Sequence, residues 1–122
     1  MIRVLFVDDD KKLQEVYSTL FPIQDIHLVA QAYDGHQAVN LYASMSEKPD
    51  VVLMDQRMPR MDGITATSKI LEIDPDAKVI FLSADDATES RALNVGASLF
   101  LAKPVSMHWL VDSIKNVMSG PT

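Results

Sequence analysis

Five short runs of apolar residues are spaced along the chain, and each is too short to form a helix of its own. They are rich in valine, leucine and phenylalanine and do not alternate with polar residues. Continuous apolar runs of this length are typical of strands that are buried on both faces of a parallel sheet. The predicted strands are Val4–Val7, Leu28–Ala30, Val51–Met54, Val79–Leu82 and Leu99–Leu101.

Between and after these runs, apolar residues recur every three or four positions, which is the spacing of one face of a helix. The predicted helices carry the apolar stripes that begin at Leu13, Ala38, Ile64, Ala92 and Leu110. A strand followed by a helix, repeated five times, predicts an α/β domain. Its parallel five-stranded sheet is covered by helices on both faces, a doubly wound arrangement.

Residues that begin or end helices stand at the borders of these stripes. Asp86, with Glu89 three residues later, resembles a capping box for the fourth helix. Gly96 is predicted to end that helix, and Ser106 to cap the last one. Other aspartates are interpreted as turn or cap residues rather than metal ligands, namely Asp34, Asp62 and Asp85.

Composition narrows the class of protein. The chain has 122 residues, no cysteine and a formal net charge of −6. The length suits one domain, and the lack of cysteine excludes disulfides, a thiol nucleophile and cysteine-based zinc sites. The acidic balance argues against direct nucleic-acid binding, and no apolar stretch approaches the ~20 residues that span a bilayer. We expect a cytoplasmic domain over residues 1–118 and a short tail over 119–122.

Polar residues follow the ends of the predicted strands. Asp8 and Asp9 follow the first, Asp55 ends the third, Ser83 ends the fourth and Lys103 follows the fifth. In open α/β sheets, ligands bind beyond the carboxyl ends of the strands. Crowded carboxylates repel one another, and a hard divalent cation such as Mg²⁺ relieves that repulsion. A carboxylate beside such a cation and a lysine can accept a phosphoryl group, so the pattern indicates phosphorylation of Asp55.

In this order and at these places, the motifs resemble the receiver domain of response regulators in two-component signalling, of the chemotaxis-regulator type. The motifs are Asp8-Asp9, Val51–Asp55, Met58–Gly63, Ser83-Ala84, Phe100 and Lys103-Pro104. The resemblance spans roughly Ile2 to Met118. It implies a flavodoxin-like fold with strand order 2-1-3-4-5.

The resemblance also implies roles for individual residues. Asp8, Asp9 and Asp55 would bind Mg²⁺, with Mn²⁺ as an alternative, and the main-chain carbonyl of Arg57 would complete the protein ligands. Asp55 would receive the phosphoryl group from a phosphohistidine of a sensor kinase or phosphotransfer protein. Position 57 is often polar and uncharged in this family, and here it is arginine.

The phosphoryl group would then be held and sensed by residues from the last two strands. Ser83, with Ala84 beside it, would hydrogen-bond a phosphoryl oxygen, and Lys103 would pair with another. The peptide bond from Lys103 to Pro104 is expected to be cis. Phe100, where many relatives have tyrosine, would act as an aromatic rotamer switch.

The expected readout is the face formed by the fourth helix, fifth strand and fifth helix. A downstream protein or output domain would bind this face, which is also a candidate for homodimer formation. We further hypothesise that Arg57 pairs with Asp85 across the mouth of the pocket, where the pair would control water access and the lifetime of the phosphoryl group. Arg60 is interpreted as solvated.

Three other functions are compatible with an acidic α/β domain. A Mg²⁺-dependent aspartyl phosphatase commonly carries a second aspartate two residues after the nucleophile, but position 57 is arginine. A flavin-binding module needs a phosphate loop rich in glycine and hydroxyl groups after the first strand, where this chain has Asp8–Lys12. A receiver-like scaffold that acts without phosphorylation is weakened, although not excluded, because all five expected site residues are present.

Overall fold

All five predicted strands form one parallel sheet in the order β2-β1-β3-β4-β5. The computed structural model describes residues 1–119. Each strand is one to four residues longer than the predicted run. The strands are β1 (Ile2–Val7), β2 (Ile26–Ala32), β3 (Val51–Asp55), β4 (Val79–Ser83) and β5 (Leu99–Ala102). The predicted fold class and strand order are confirmed.

Within residues 1–119, five α-helices connect and follow the strands, as the apolar stripes predicted. They are α1 (Lys11–Leu20), α2 (Gly35–Ser44), α3 (Gly63–Ile73), α4 (Glu89–Asn94) and α5 (Met107–Ser119). Short 3₁₀ turns extend α1 over Phe21–Gln24 and precede α4 over Asp86–Thr88. Ser119 was predicted as tail but is the last residue of α5, and the rest of the predicted tail, 120–122, lies outside the described residues. Within residues 1–119, no helix is long and apolar enough to cross a membrane.

The sheet separates two apolar cores, which explains why the strand sequences do not alternate. On β1, Val4 and Phe6 pack with α1 and α5, whereas Leu5 and Val7 pack with α2, α3 and α4. All four side chains are fully buried. Burying a side chain of this size stabilises the fold by roughly 1.5–3 kcal/mol, so both faces of the sheet need apolar residues.

Three aspartates begin helices, as expected of residues that accept hydrogen bonds from free N–H groups. Asp10, Asp34 and Asp62 accept from the third residue after each, at 3.1, 2.7 and 2.9 Å. Ser106 caps α5 through the N–H of Trp109 at 3.1 Å, and Gly96 after α4 has a φ of +111°. The assignments of Asp34, Asp62, Ser106 and Gly96 match the predictions.

The predicted capping box at the fourth helix is wrong. Asp85, rather than Asp86, accepts a hydrogen bond at the start of this segment, from the N–H of Ala87 at 3.0 Å. The chain makes a 3₁₀ turn before α4 begins at Glu89, and Thr88 precedes α4 without a capping side-chain bond. The extra turn shifts the helix start, so Thr88 rather than Asp86 holds the N-cap position of α4.

Candidate functional site

An acidic cavity of about 730 Å³ lies at the carboxyl ends of β1, β3, β4 and β5. It brings together residues that are far apart in the sequence but close to strand ends. The lining residues are Asp8, Asp9, Asp10, Asp55, Arg57, Ser83, Ala84, Asp85 and Lys103. The predicted pocket residues thus share one cavity, apart from Phe100 and Pro104.

Three carboxylates form the most concentrated negative charge in this cavity. Oxygen atoms of Asp8, Asp9 and Asp55 lie within 4.8 Å of one another. Asp8 and Asp55 are buried, whereas Asp9 is exposed at the cavity mouth. A set of hard oxygen donors that is open on one side suits a divalent cation that keeps several of its water ligands. The donor set therefore fits a cation such as Mg²⁺.

Gln14 holds the chain at Asp8, where the loop with Asp9 begins, and no sequence pattern pointed to it. Its side chain is 1% exposed, and its amide nitrogen lies 3.0–3.2 Å from the carbonyl oxygens of Phe6, Asp8 and Ala32. Buried polar groups need such partners, because an unmade buried hydrogen bond is costly. Gln14 thereby joins α1 to the ends of β1 and β2.

Lys103 is the cation of the cavity that contacts its buried acids, and it pairs with two of them at once. Its Nζ lies 2.8 Å from Oδ1 of Asp55 and 3.3 Å from Oδ2 of Asp8. Burial alone would lower the pKa of Lys103, but the hydrogen bonds and charges of Asp55 and Asp8 outweigh burial and raise it. The ammonium group is therefore held firmly in its charged form.

Asp55 is compensated less completely than Lys103. Burial raises the pKa of its carboxyl group, the pairing with Lys103 offsets that only in part, and the charge of Asp8 raises it further. The pKa of Lys103 and the pKa of Asp55 are both raised. These two shifts are consistent, because the one ammonium group of Lys103 is shared between the carboxylates of Asp55 and Asp8. Negative charge is therefore left over in the cavity, which favours an additional cation.

Ser83 and Ala84 end β4 at the cavity wall. Ser83 is 4% exposed, and its Oγ accepts a hydrogen bond from the N–H of Asp85 at 3.1 Å. Asp85 and Arg57 both line the cavity, but these two described residues form no ion pair with each other. The Asp85 carboxylate instead caps the following 3₁₀ turn through its Oδ1.

Phe100 and Pro104 lie beside the cavity rather than in its wall. Phe100 is half-buried on β5, and its ring is nearly parallel to that of Phe81 with centroids 6.3 Å apart. It lines a separate groove of about 860 Å³ between β5 and α5, where Trp109 is 49% exposed. The peptide bond between Lys103 and Pro104 is cis.

The loop from β3 to α3 is held close to the cavity by backbone contacts. Gly63 lies directly against the carbonyl of Asp55, so that any side chain there would overlap it. Further along, Arg60 has a φ of +68° and its guanidinium binds Oδ2 of Asp34 at 2.6 Å. Arg60 was interpreted as solvated, and its side chain is indeed 73% exposed, but that interpretation missed the contact with Asp34.

Comparison with known proteins agrees with this geometry. The model of the response regulator receiver domain family matches residues 4–115. The chain is 37% identical over 118 residues to the chemotaxis protein CheY of Treponema pallidum, covering 95% of this chain and 82% of that protein. It is 34% identical over 123 residues to the response regulator GacA of Pseudomonas aeruginosa, covering 98% of this chain but only 56% of that protein.

Solved structures show the same fold. A CheX–CheY–BeF3–Mg complex of Borrelia burgdorferi matches with a TM-score of 0.84 at 33% identity, over 97% of this chain and 87% of that one. The response regulator domain of Thermotoga maritima CheB matches with a TM-score of 0.84 at 31% identity, over 100% of this chain and 99% of that one. The chain therefore belongs to the response regulator receiver domain family, whose members are phospho-acceptor signalling modules.

Proposed function

We propose that Asp55 accepts a phosphoryl group from a phosphohistidine of a sensor kinase or a phosphotransfer protein in the cytoplasm. The observation that carries the proposal is Lys103, which bridges Asp55 and Asp8 in a cavity shared with Ser83. A lysine in this position neutralises charge on a transferring phosphoryl group. Asp55 is the acid at the centre of this arrangement, because it contacts the lysine at the shorter distance.

The proposed transfer makes one bond and breaks one. A carboxylate oxygen of Asp55 attacks phosphorus, the bond from phosphorus to the histidine nitrogen breaks, and the electron pair returns to the imidazole. Mg²⁺ held by Asp8, Asp9, Asp55 and the carbonyl of Arg57 would neutralise charge on the phosphoryl oxygens. Lys103 would move from its two carboxylates toward a phosphoryl oxygen, and the Ser83 hydroxyl would donate to another. Mn²⁺ would occupy the same oxygen donors.

Water would later attack phosphorus, the bond from phosphorus to the Asp55 oxygen would break, and inorganic phosphate would leave with Asp55 restored as a carboxylate. The domain would thus assist its own resetting without acting as an enzyme on other molecules. Arg57 and Asp85 are the side chains at the cavity mouth whose charge could control that water. Since they form no ion pair in this structure, we expect each to act separately. Unchanged dephosphorylation rates in both Arg57→Ala and Asp85→Ala would exclude this control.

The signal would leave the cavity through Phe100 and the face made by α4, β5 and α5. Phe100 contacts the core on one side and lines the groove beside Trp109 on the other. A ring in this position can couple the cavity to a partner protein, an output domain or a second copy of the chain. The coupling would be steric, since phenylalanine has no hydroxyl group.

The decisive experiment detects the adduct itself. The protein is incubated with Mg²⁺ and a small phosphodonor, and intact mass is measured for an acid-stable, base-labile phosphoryl group. Wild type should carry one group and Asp55→Asn none. Asp10→Asn is the matched control, because Asp10 lines the same cavity but caps α1, a role that asparagine fills equally well.

The same assay tests the alternatives. An adduct that survives in Asp55→Asn would assign the acceptor elsewhere, and sustained turnover of phosphate esters would favour an aspartyl phosphatase. No adduct in wild type, together with unimpaired partner binding, would favour a scaffold that acts without phosphorylation. A coloured flavin after purification would favour the flavin-binding module, which the acidic β1–α1 loop disfavours.

A further inference from the structure

Thr88 lies in the 3₁₀ turn that leads from the cavity into α4, and its hydroxyl group is buried against the cavity wall. The residue is 3% exposed, and its Oγ1 lies 3.1 Å from Oγ of Ser83. Although Thr88 precedes the first residue of α4, its side chain does not cap that helix. A buried hydroxyl that does not serve the helix is thus bonded to the residue expected to hold the phosphoryl group.

The direction of this hydrogen bond follows from the number of hydrogens available. The Thr88 hydroxyl has one hydrogen, and it contacts the carbonyl oxygen of Asp85, which can only accept. Ser83 Oγ already accepts the N–H of Asp85 at 3.1 Å. Because the single hydrogen of Thr88 is directed to the Asp85 carbonyl, the contact between the two hydroxyl groups uses the hydrogen of Ser83. Ser83 is thus assigned as the donor to Thr88, which closes a ring of three hydrogen bonds among these three residues.

A phosphoryl oxygen on Asp55 can also only accept. To bind it, Ser83 must turn its single hydrogen away from Thr88, and the ring opens. We propose that Thr88 is a positioning residue that holds the Ser83 hydroxyl away from the phosphoryl group and passes its release to the start of α4. This inference rests on the proposed phosphorylation of Asp55.

The link to α4 is direct, because the Asp85 carbonyl also accepts the backbone N–H of Thr88 at 3.0 Å. Both hydrogen-bond donors of Thr88, its backbone N–H and its hydroxyl group, are therefore committed to the turn before α4. Phe100 has no polar atom in its side chain with which to bond Ser83. Among the described side chains, Thr88 is the one bonded to the Ser83 hydroxyl.

The test compares three substitutions of Thr88 that keep or remove its hydroxyl group. Thr88→Val removes the hydroxyl but keeps the shape, Thr88→Ser keeps the hydroxyl, and Thr88→Ala is a second variant without the hydroxyl. Binding of beryllofluoride, a stand-in for the phosphoryl group, is measured by calorimetry with saturating Mg²⁺. Thr88→Val and Thr88→Ala should bind about three- to tenfold more tightly than wild type, the effect of one hydrogen bond that no longer has to break.

Thr88→Ser should bind like wild type. In a Ser83→Ala background, Thr88→Val should change nothing, since no serine hydroxyl remains to be released. A purely structural role of Thr88 would instead weaken binding by a similar factor in both backgrounds. Amide hydrogen exchange over residues 85–89 should rise when wild type binds beryllofluoride, whereas in Thr88→Val it should be high before binding.

The outcomes separate this inference from the proposed function. Wild type that neither binds beryllofluoride nor forms the Asp55 adduct would overturn the proposed function, and the inference with it. Wild type that binds normally, beside a Thr88→Val variant of equal or weaker affinity, would overturn the role of Thr88 alone. Tighter binding in Thr88→Val that persists in the Ser83→Ala background would also overturn it.

Discussion

Asp34 follows the carboxyl end of β2 and Asp55 ends β3, with β1 between these two strands in the sheet. Both residues are buried, with 2% and 8% of their surface exposed. The pKa of Asp34 is nevertheless lowered from its ordinary value, whereas that of Asp55 is raised. The N–H of Gln37 lowers the pKa of Asp34 most, burial opposes this, and the guanidinium of Arg60 lowers it further. Burial raises the pKa of Asp55, and the shared Lys103 does not compensate for it.

The difference shows how one residue type serves structure in one place and chemistry in another. Asp34 begins α2 and receives a backbone donor and its own cation, so its charge is matched within the fold. Asp55 ends β3, where Asp8 is a like-charged neighbour and both carboxylates pair with the same Lys103. A fold that leaves a buried carboxylate undercompensated keeps it ready for a cation or a phosphoryl group.

The largest expected effect is the response to Mg²⁺. At roughly a hundredfold excess over its dissociation constant, a bound ligand raises the free energy of unfolding by about 2.7 kcal/mol. Wild type and Asp34→Asn should both show this gain in urea denaturation. Asp55→Asn should show much less, because it loses one of three clustered carboxylates. An equal gain in Asp55→Asn would place the ion outside this cavity.

A smaller effect is expected without metal, near neutral pH and at low salt. Asp34→Ala should lower the free energy of unfolding by about 1–2 kcal/mol, since it removes a helix cap. Asp55→Asn should raise it, because the fold disfavours the charged form of this acid. Asp62→Ala provides the reference for a lost cap that has no arginine partner. Urea denaturation of the three variants beside wild type measures each effect.

Lowering the pH should change the stability effects of the Asp34 and Asp55 variants at different pH values, because the pKa of Asp34 lies below the ordinary value of 3.8 and that of Asp55 lies above it. The stability contributed by Asp34 is present above 3.8 and is lost as the pH falls through its lower folded pKa. The penalty from Asp55 is present above its raised folded pKa and is relieved as the pH falls through that value toward 3.8. The advantage of Asp55→Asn should therefore shrink at a higher pH than the deficit of Asp34→Ala. The reverse order would contradict the assignment of the two acids.

The strands and the acids at their ends could be predicted from the sequence, because both depend on local patterns. Val51–Asp55 is a buried run followed by polar residues, and that pattern is enough to place Asp55 at the carboxyl end of a strand. The ring formed by Thr88 could not be predicted, since it depends on a 3₁₀ turn that displaced the expected capping box. The three carbonyl contacts of Gln14 depend likewise on two strand ends that meet only in the folded chain.

The smallest expected effect concerns Arg60, whose side chain is 73% exposed. An exposed ion pair contributes roughly 0–1 kcal/mol, and asparagine tolerates the left-handed backbone at this position. Arg60→Asn should therefore change the free energy of unfolding by less than about 1 kcal/mol. The pKa of Asp34, followed by NMR of its carboxyl carbon, should stay below its ordinary value, because the Gln37 N–H remains. A return to 3.8 would mean that the cation, rather than the backbone donor, distinguishes Asp34 from Asp55.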